Sequence, residues 1–195
     1  MQRKKLKRRF KDKFYLYRGR TSVDAIKMSK RTEFLKNKYS LERHPEGGWF
    51  AEVYTSPFDH ENRALMGSIY FLLEGADISH FHQIDCDEIW YHHEGCALKI
   101  TMIIDGKVSE SIIGTGEDQT AMAVIPKGAI FAAENLDKDG YCFMSCATTP
   151  KFMYDGFRLV DEEEIKSLCP DMLEKLAHLA FSKEKLDARY KRTSI

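Results

Sequence analysis

Residues 78 to 95, "ISHFHQIDCDEIWYHHEG", carry four histidines, two aspartates and two glutamates. Imidazole and carboxyl groups at this density suit two kinds of chemistry. Two imidazoles and a carboxylate hold Fe(II), Mn(II), Ni(II) or Zn(II) through three ligands and leave open positions. Without a metal, a histidine beside a carboxylate is a general base of fixed tautomer. The third reading is a polar sheet edge. Side chains alternate along a strand, so His80 and His82 are expected to share one face, and Glu88, Trp90 and His92 a face of the next strand. The metal set is then His80, His82 and Glu88. The acid–base set is His82 and Glu88, with burial moving the carboxyl up and the imidazole down toward neutrality.

Further residues are candidates for a binding pocket around this stretch. Glu52 and Tyr54 share a strand face after a Gly-Gly turn, and Arg63 suits an anionic substrate. Trp90 and Phe131 offer aromatic walls, while His92 and Glu134 are substitute polar groups. His93 alternates with His92 and is expected to face outward. Cys146 lies on an apolar strand and reads as an inert buried thiol. The Gly114-Thr115-Gly116 turn lacks a following helix, which excludes a phosphate loop.

The elements that must position these residues are short. From Trp49 to about Leu159 the chain alternates apolar runs ("WFAEVYT", "LMGSIYFLL", "EIWYHH", "LKITMII", "MAVIP", "IFAAE", "YCFMSCAT") with turn residues, the pattern of an all-β sandwich or barrel. Asp105-Gly106 in "IIDGKVSES" predicts a tight hairpin. Before the strands, Phe34, Leu35 and Tyr39 recur at helical spacing behind Ser29 or Thr32 as caps, and Pro45 with Gly47-Gly48 ends that helix. After the strands, "DEEEIKSLC" places acids in a first helical turn. Pro170 precedes a stripe of Met172, Leu173, Leu176, Leu179 and Ala180 expected to cover the barrel or a partner subunit.

Charge is balanced overall, with 30 basic and 30 acidic residues, but unevenly placed. Residues 1–20 hold ten Lys/Arg and one acid, a net +9, which leaves −9 on the remainder. A basic arm on an acidic body is a form found in nucleic-acid and membrane-surface binders. The acidic body would repel those partners, so neither is expected, and the arm reads as a solvated, disordered tail. The domain organisation expected is a tail over 1–28, the β domain over 29–170, and a C-terminal helix with charged tail over 171–195. Five cysteines without a CxxC pair, no apolar leader and no run approaching ~18 apolar residues predict a cytoplasmic protein with free thiols.

Gly75, His80, His82, Glu88 and Gly95 stand in the order of the first cupin motif, with five residues between His82 and Glu88. "PKGAIFAAEN" resembles the second motif through Pro126, Gly128 and Asn135, but Phe131 stands where that motif has histidine. "HPEGGWFAEVY", "SIYFLL", "DEIW", "IPKGAIFAAE" and "SCATTPKF" resemble more narrowly the cupin-5 branch over about residues 32 to 170; Lys151 departs from it, where the branch has glycine. The resemblance implies an all-β fold, a cupin double-stranded β-helix (jelly-roll barrel) with short flanking N- and C-terminal helices. It also implies a homodimer and a small-molecule ligand in the barrel mouth. By the same resemblance, Tyr70 is a candidate acid opposite the histidine base, as in sugar-epimerase relatives of the fold. The fold hosts many reactions, so isomerisation or epimerisation of a carbohydrate-like metabolite is the first expectation. A non-catalytic binding module and a metal-dependent lyase or dioxygenase are the alternatives. With Phe131 replacing a ligand, the cofactor expected is none or a weakly bound divalent metal, and Phe131→His is expected to tighten it.

Overall fold

A computed structural model describes residues 22–187. The basic arm (1–20) and the end of the charged C-terminal tail (188–195) lie outside the described residues. Runs rich in β-branched and aromatic residues form the strands. These are β1 (Glu42–Arg43), β2 (Trp49–Thr55), β3 (Asp59–His60), β4 (Arg63–Ala64), β5 (Gly67–Glu74), β6 (Ile78–Gln83) and β7 (Asp87–Gly95). The series continues with β8 (Leu98–Ile104), β9 (Lys107–Ile113), β10 (Met122–Ile125), β11 (Ile130–Asn135), β12 (Tyr141–Thr149) and β13 (Arg158–Leu159).

Two antiparallel sheets carry the fold, ordered β1-β2-β5-β12-β7-β10 and β13-β6-β11-β8-β9, with β3 and β4 a separate hairpin. Alternation along each strand sends one set of side chains between the sheets. Phe71, Leu73, Trp90, Leu98, Ile100, Phe131, Met144 and Cys146 form the interior cluster. This is the expected jelly roll with flanking helices. The β8–β9 hairpin closes through Asp105 and Gly106, both left-handed at φ 50° and 71°, as a tight primed turn requires.

The opposite strand faces are capped by helix. Helix α1 (Ser22–Tyr39) lays Leu35 against Leu72 and Phe143 on the larger sheet, with Tyr39 and Tyr70 packed alongside. It starts inside the segment read as tail and runs straight through Ser29 and Thr32. Thr32 does not cap a terminus but donates its hydroxyl back to the Ser29 carbonyl at 3.2 Å, a bond that satisfies the side chain without ending the helix. Over the smaller sheet, α2 (Glu162–Leu168) is capped by Asp161, whose carboxylate accepts from the Glu164 N–H at 2.8 Å. The stripe after Pro170 is not one helix but a 3-10 turn, α3 (Leu173–Leu176) and another 3-10 turn. It still buries Leu176 and Leu179 against Phe81, Ile103, Ile130 and Ala132.

One irregularity decides which side chains reach the interior. On β6, Ser79 pairs with Ala133 and His82 with Phe131, so β6 carries one residue more than β11 between those pairs. This β-bulge resets the alternation. Ser79 and His82, three residues apart, both turn inward, whereas Phe81 joins the outer cluster and the His80 ring stacks on Phe181 at 3.9 Å. The His44–Gly48 turn packs on the bulge. His80 gives both its backbone N–H (2.9 Å) and its Nδ1 (2.8 Å) to the Glu46 carbonyl.

That packing requires glycine at position 47. Its φ is +119°, and a Cβ there would overlap the Ile78 carbonyl. Gly47→Ala is therefore expected to destabilise by about 2–3 kcal/mol or more, measured by urea unfolding with an unchanged m-value. A neutral result would mean the turn is loosely held.

Candidate functional site

A cavity of about 400 Å³ opens between the sheets. Its deep end is formed by Phe71, Ile84, Trp90 and Cys146, and its mouth by Glu52, Lys151, Phe152, Met153, Tyr154 and Asp155. Phe50, His44, Glu46, His82 and Glu88 line the walls between.

Glu46 is the hub. Its Oε1 accepts from the Ser79 hydroxyl at 2.8 Å, and its Oε2 lies 3.2 Å from both His44 Nδ1 and His82 Nε2. Burial alone would raise this carboxyl, but the positive charge that His82 and His44 carry when protonated, with hydrogen bonds from His44 and Ser79, outweighs it and holds it at about 2. Burial pushes the His82 imidazole the other way, downward, against the attraction of Glu46. His82 commits Nδ1–H to the His80 carbonyl at 2.7 Å. Its Nε2 faces Glu46 Oε2 at 3.2 Å, so neither His82 nitrogen is left for a substrate.

His44 is placed differently. Its Nδ1 lies 3.5 Å from the Glu46 backbone N–H but closer, at 3.2 Å, to the Glu46 carboxylate. The charge-assisted contact is the stronger, which puts the proton on Nδ1 and leaves Nε2 as a lone pair. The ring is held by Phe50 (4.7 Å), Phe157 (5.8 Å), Tyr154 (6.2 Å) and Phe71 (6.3 Å). A carboxylate that fixes an imidazole's tautomer from behind is the general-base arrangement.

Glu88 has the opposite environment. Burial pushes its carboxyl up to about 8; the Glu46 charge adds to the rise, and contacts with the Trp90 indole N–H and the Cys146 thiol counter it. The cavity thus holds an ionised carboxyl, Glu46, and a protonated one, Glu88. Environments that separate two carboxyls in this way distinguish base from acid. Cys146 is driven far up by the same burial and stays a thiol.

Of the residues expected at the site, His82, Glu88, Glu52 and Trp90 line the cavity. The others lie elsewhere, each for a local reason. The bulge turns His80 outward onto Phe181. Tyr70, opposite Ala51 and Ser145, faces α1 and packs on Tyr39 at 4.5 Å; it cannot act across the barrel. Phe131 is inside but buried against His82 at 4.0 Å between centroids. Arg63 binds Asp85 through two 2.8 Å hydrogen bonds and the Lys151 carbonyl at 2.7 Å, so it anchors the mouth loop. Glu134 points to the outer face between Lys99 (2.9 Å) and Lys138 (2.6 Å). His92 bonds the Cys96 carbonyl at 3.2 Å, and Tyr54 is exposed beyond a second bulge at Val53. His93 faces outward as expected, 2.9 Å from the Ser145 hydroxyl. Lys151, the departure from the cupin-5 pattern, lines the mouth and pairs with Glu52 at 2.8 Å.

Sequence reasoning missed His44 and Glu46. Their signal was the His-x-Glu spacing beside a Gly-Gly pair, read only as turn punctuation.

These residues do not fit the metal that cupins commonly hold. His80 faces out onto Phe181, and Phe131 has no donor atom. Among the described residues no group of three His, Cys, Asp or Glu is arranged to hold a metal ion. Phe131→His is accordingly expected to leave divalent-metal affinity unchanged by calorimetry, because the bulge withholds His80; a new stoichiometric site would overturn this.

A two-sheet jelly roll with a residue-lined cavity between its sheets is the cupin class of protein. The chain belongs to the Cupin superfamily (DUF985), whose profile matches residues 33–160. It is similar to a protein of Shewanella oneidensis at 31% identity and TM-score 0.74, over 77% of this chain and 98% of that one. It is also similar to a hypothetical protein from Leishmania major at 25% identity and TM-score 0.72, again over 77% and 98% of the two chains. No curated protein matches it.

Proposed function

We propose that the cavity binds a small polar metabolite, a carbohydrate derivative, and isomerises or epimerises it by acid–base chemistry. The observation that carries this reading is the buried His44 held 3.2 Å from the Glu46 carboxylate in one cavity with the buried Glu88 carboxyl, the environments of the two carboxyls pushing their pKa values apart. His44 Nε2 is the base. Glu46 fixes its tautomer and stabilises the imidazolium formed, His82 and Ser79 hold Glu46, and Glu88 is the acid. The 400 Å³ volume suits a metabolite, and Phe50, Phe152 and Tyr154 supply flat apolar faces for a sugar ring.

Proton–deuterium exchange tests it. A panel of hydroxyaldehydes and hydroxyketones is incubated with the protein in D2O and followed by proton NMR. Exchange is expected with the parent, with a loss of about 100-fold or more in His44→Gln and Glu88→Gln. Ligands that bind in the cavity but never exchange would leave a non-catalytic binding module, the rival reading favoured by the apolar walls.

We also propose the homodimer that family membership implies, with exposed Tyr91, Met122 and Val124 on the larger sheet as its contact face. Val124→Glu should then yield monomers in sedimentation; an unchanged mass would contradict it. Five free cysteines support residence in the reducing cytoplasm, and no described helix is long and apolar enough to cross a membrane.

A further inference from the structure

Two polar groups stand side by side at the deep end of the cavity. Trp90 is 1% exposed and lines the cavity, and its indole N–H lies near the Glu88 carboxyl without completing a hydrogen bond of good geometry to any described residue. A buried N–H left unpaired costs free energy and is uncommon. The indole cannot turn away. It is wedged edge-on against Phe71 (5.6 Å, 66°) and Phe131 (6.3 Å, 86°), on a strand paired on both edges. Glu88, two residues earlier on β7, points to the same side, and its neutral carboxyl has an O–H to give. Trp49 shows the contrast. Its indole N–H is also unpaired, but it lies on the outer face between Lys36 (4.6 Å) and Arg43 (4.2 Å), away from the cavity.

We propose that the Trp90 indole N–H and the Glu88 carboxyl form a two-donor subsite for the oxygen of a carbonyl group, which makes the substrate an aldehyde or ketone with a hydrogen on the adjacent carbon. The inference rests on the acid–base reading above and specifies its substrate class. His44 Nε2 takes the proton from the carbon next to the carbonyl. The C–H electron pair becomes the new C–C π bond, and the carbonyl π pair moves onto oxygen. The enolate oxygen then receives hydrogen bonds from Trp90 N–H and Glu88 O–H, donors fixed before the charge develops. A proton delivered from water to the opposite face of the same carbon inverts it. Where that carbon bears a hydroxyl, delivery of the proton to the former carbonyl carbon, with the hydroxyl proton passing to the enolate oxygen, moves the carbonyl by one carbon. No oxidant, reductant or cofactor enters the balance.

An anion is a poor alternative occupant. Glu46, Glu52 and Asp155 line the cavity against Lys151, which Glu52 already pairs at 2.8 Å. A carboxylate or phosphate at the deep end would face the Glu46 charge, whereas a neutral carbonyl would not.

The chain has two tryptophans, so its 15N-labelled form gives two indole signals, one of them an internal control. Hydroxyacetone is the probe, titrated at neutral pH while the indole N–H and histidine ring signals are followed. The Trp90 indole proton is expected to shift downfield and saturate, together with His44, while Trp49 stays still. Trp90→Phe, which keeps the ring packing, should weaken the probe about five- to tenfold and assign the signal. The parent titration stands without the variant should the variant fold poorly. Shifts at His44 and His82 with a stationary Trp90 indole would overturn the carbonyl subsite and leave the cavity reading intact. If no cavity residue responds, both fall.

Discussion

Glu46→Gln is expected to lower the unfolding free energy at pH 7 by about 2–4 kcal/mol. The carboxylate is buried and serves two imidazoles and a hydroxyl at once. An amide can satisfy Ser79 but brings no charge to the two imidazoles that face this position. The sign with pH follows from the lowered pKa. A carboxyl held at about 2 against an ordinary 4.5 contributes stability that is complete above 4.5 and is lost as pH falls toward 2. The gap between parent and variant should therefore be full at pH 7 and shrink on acidification through that window. Urea denaturation at pH 7 and pH 3 measures it, and equal stability at pH 7 would contradict the hub role.

Glu88→Gln has the opposite expected effect. The folded state holds this carboxyl at about 8 against an ordinary 4.5, so between those values the folded protein binds the extra proton. Stability of the parent must then fall with rising pH at roughly 1.4 kcal/mol per unit, by up to roughly 4–5 kcal/mol in total. Glutamine is a neutral donor of the same shape and removes this loss. The variant should match the parent near pH 4.5 and exceed it clearly at pH 9, while losing exchange activity because it has no proton to give. Parallel stability profiles for parent and variant would mean Glu88 is already ionised.

The relation between these two residues and the sequence shows what a linear reading captures. Glu88, Trp90 and His82 were legible because β7 is regular from Glu88 to Trp90 and because the motif order was present. The jelly roll was legible for the same reason: turn residues punctuate apolar runs of strand length. His80 was placed in the site because strict alternation puts it beside His82. One extra residue on β6 reverses that, and no residue type in "SHFH" announces a bulge. Tyr70 was placed across the barrel, but a tyrosine among apolar residues fits either face of a strand, and α1 supplies the outer apolar surface that holds it. His44 and Glu46 lie 38 and 36 residues before His82, and only tertiary packing of their turn on the β6 bulge brings them to it. Arg63 read as a substrate contact because its partner Asp85 is distant in sequence and close only after folding.

The central claim is that one cavity holds an ionised Glu46 and a protonated Glu88 at neutral pH. Carbon NMR of protein labelled at the glutamate carboxyl carbon, titrated from pH 3 to pH 9, measures it directly, with Glu46→Gln and Glu88→Gln to assign the two signals. The predicted result is one buried carboxyl that titrates near 8 and vanishes in Glu88→Gln, and another that stays ionised down to pH 3 and vanishes in Glu46→Gln. Both carboxyls titrating in the ordinary range near 4.5 would contradict the assignment of acid and base.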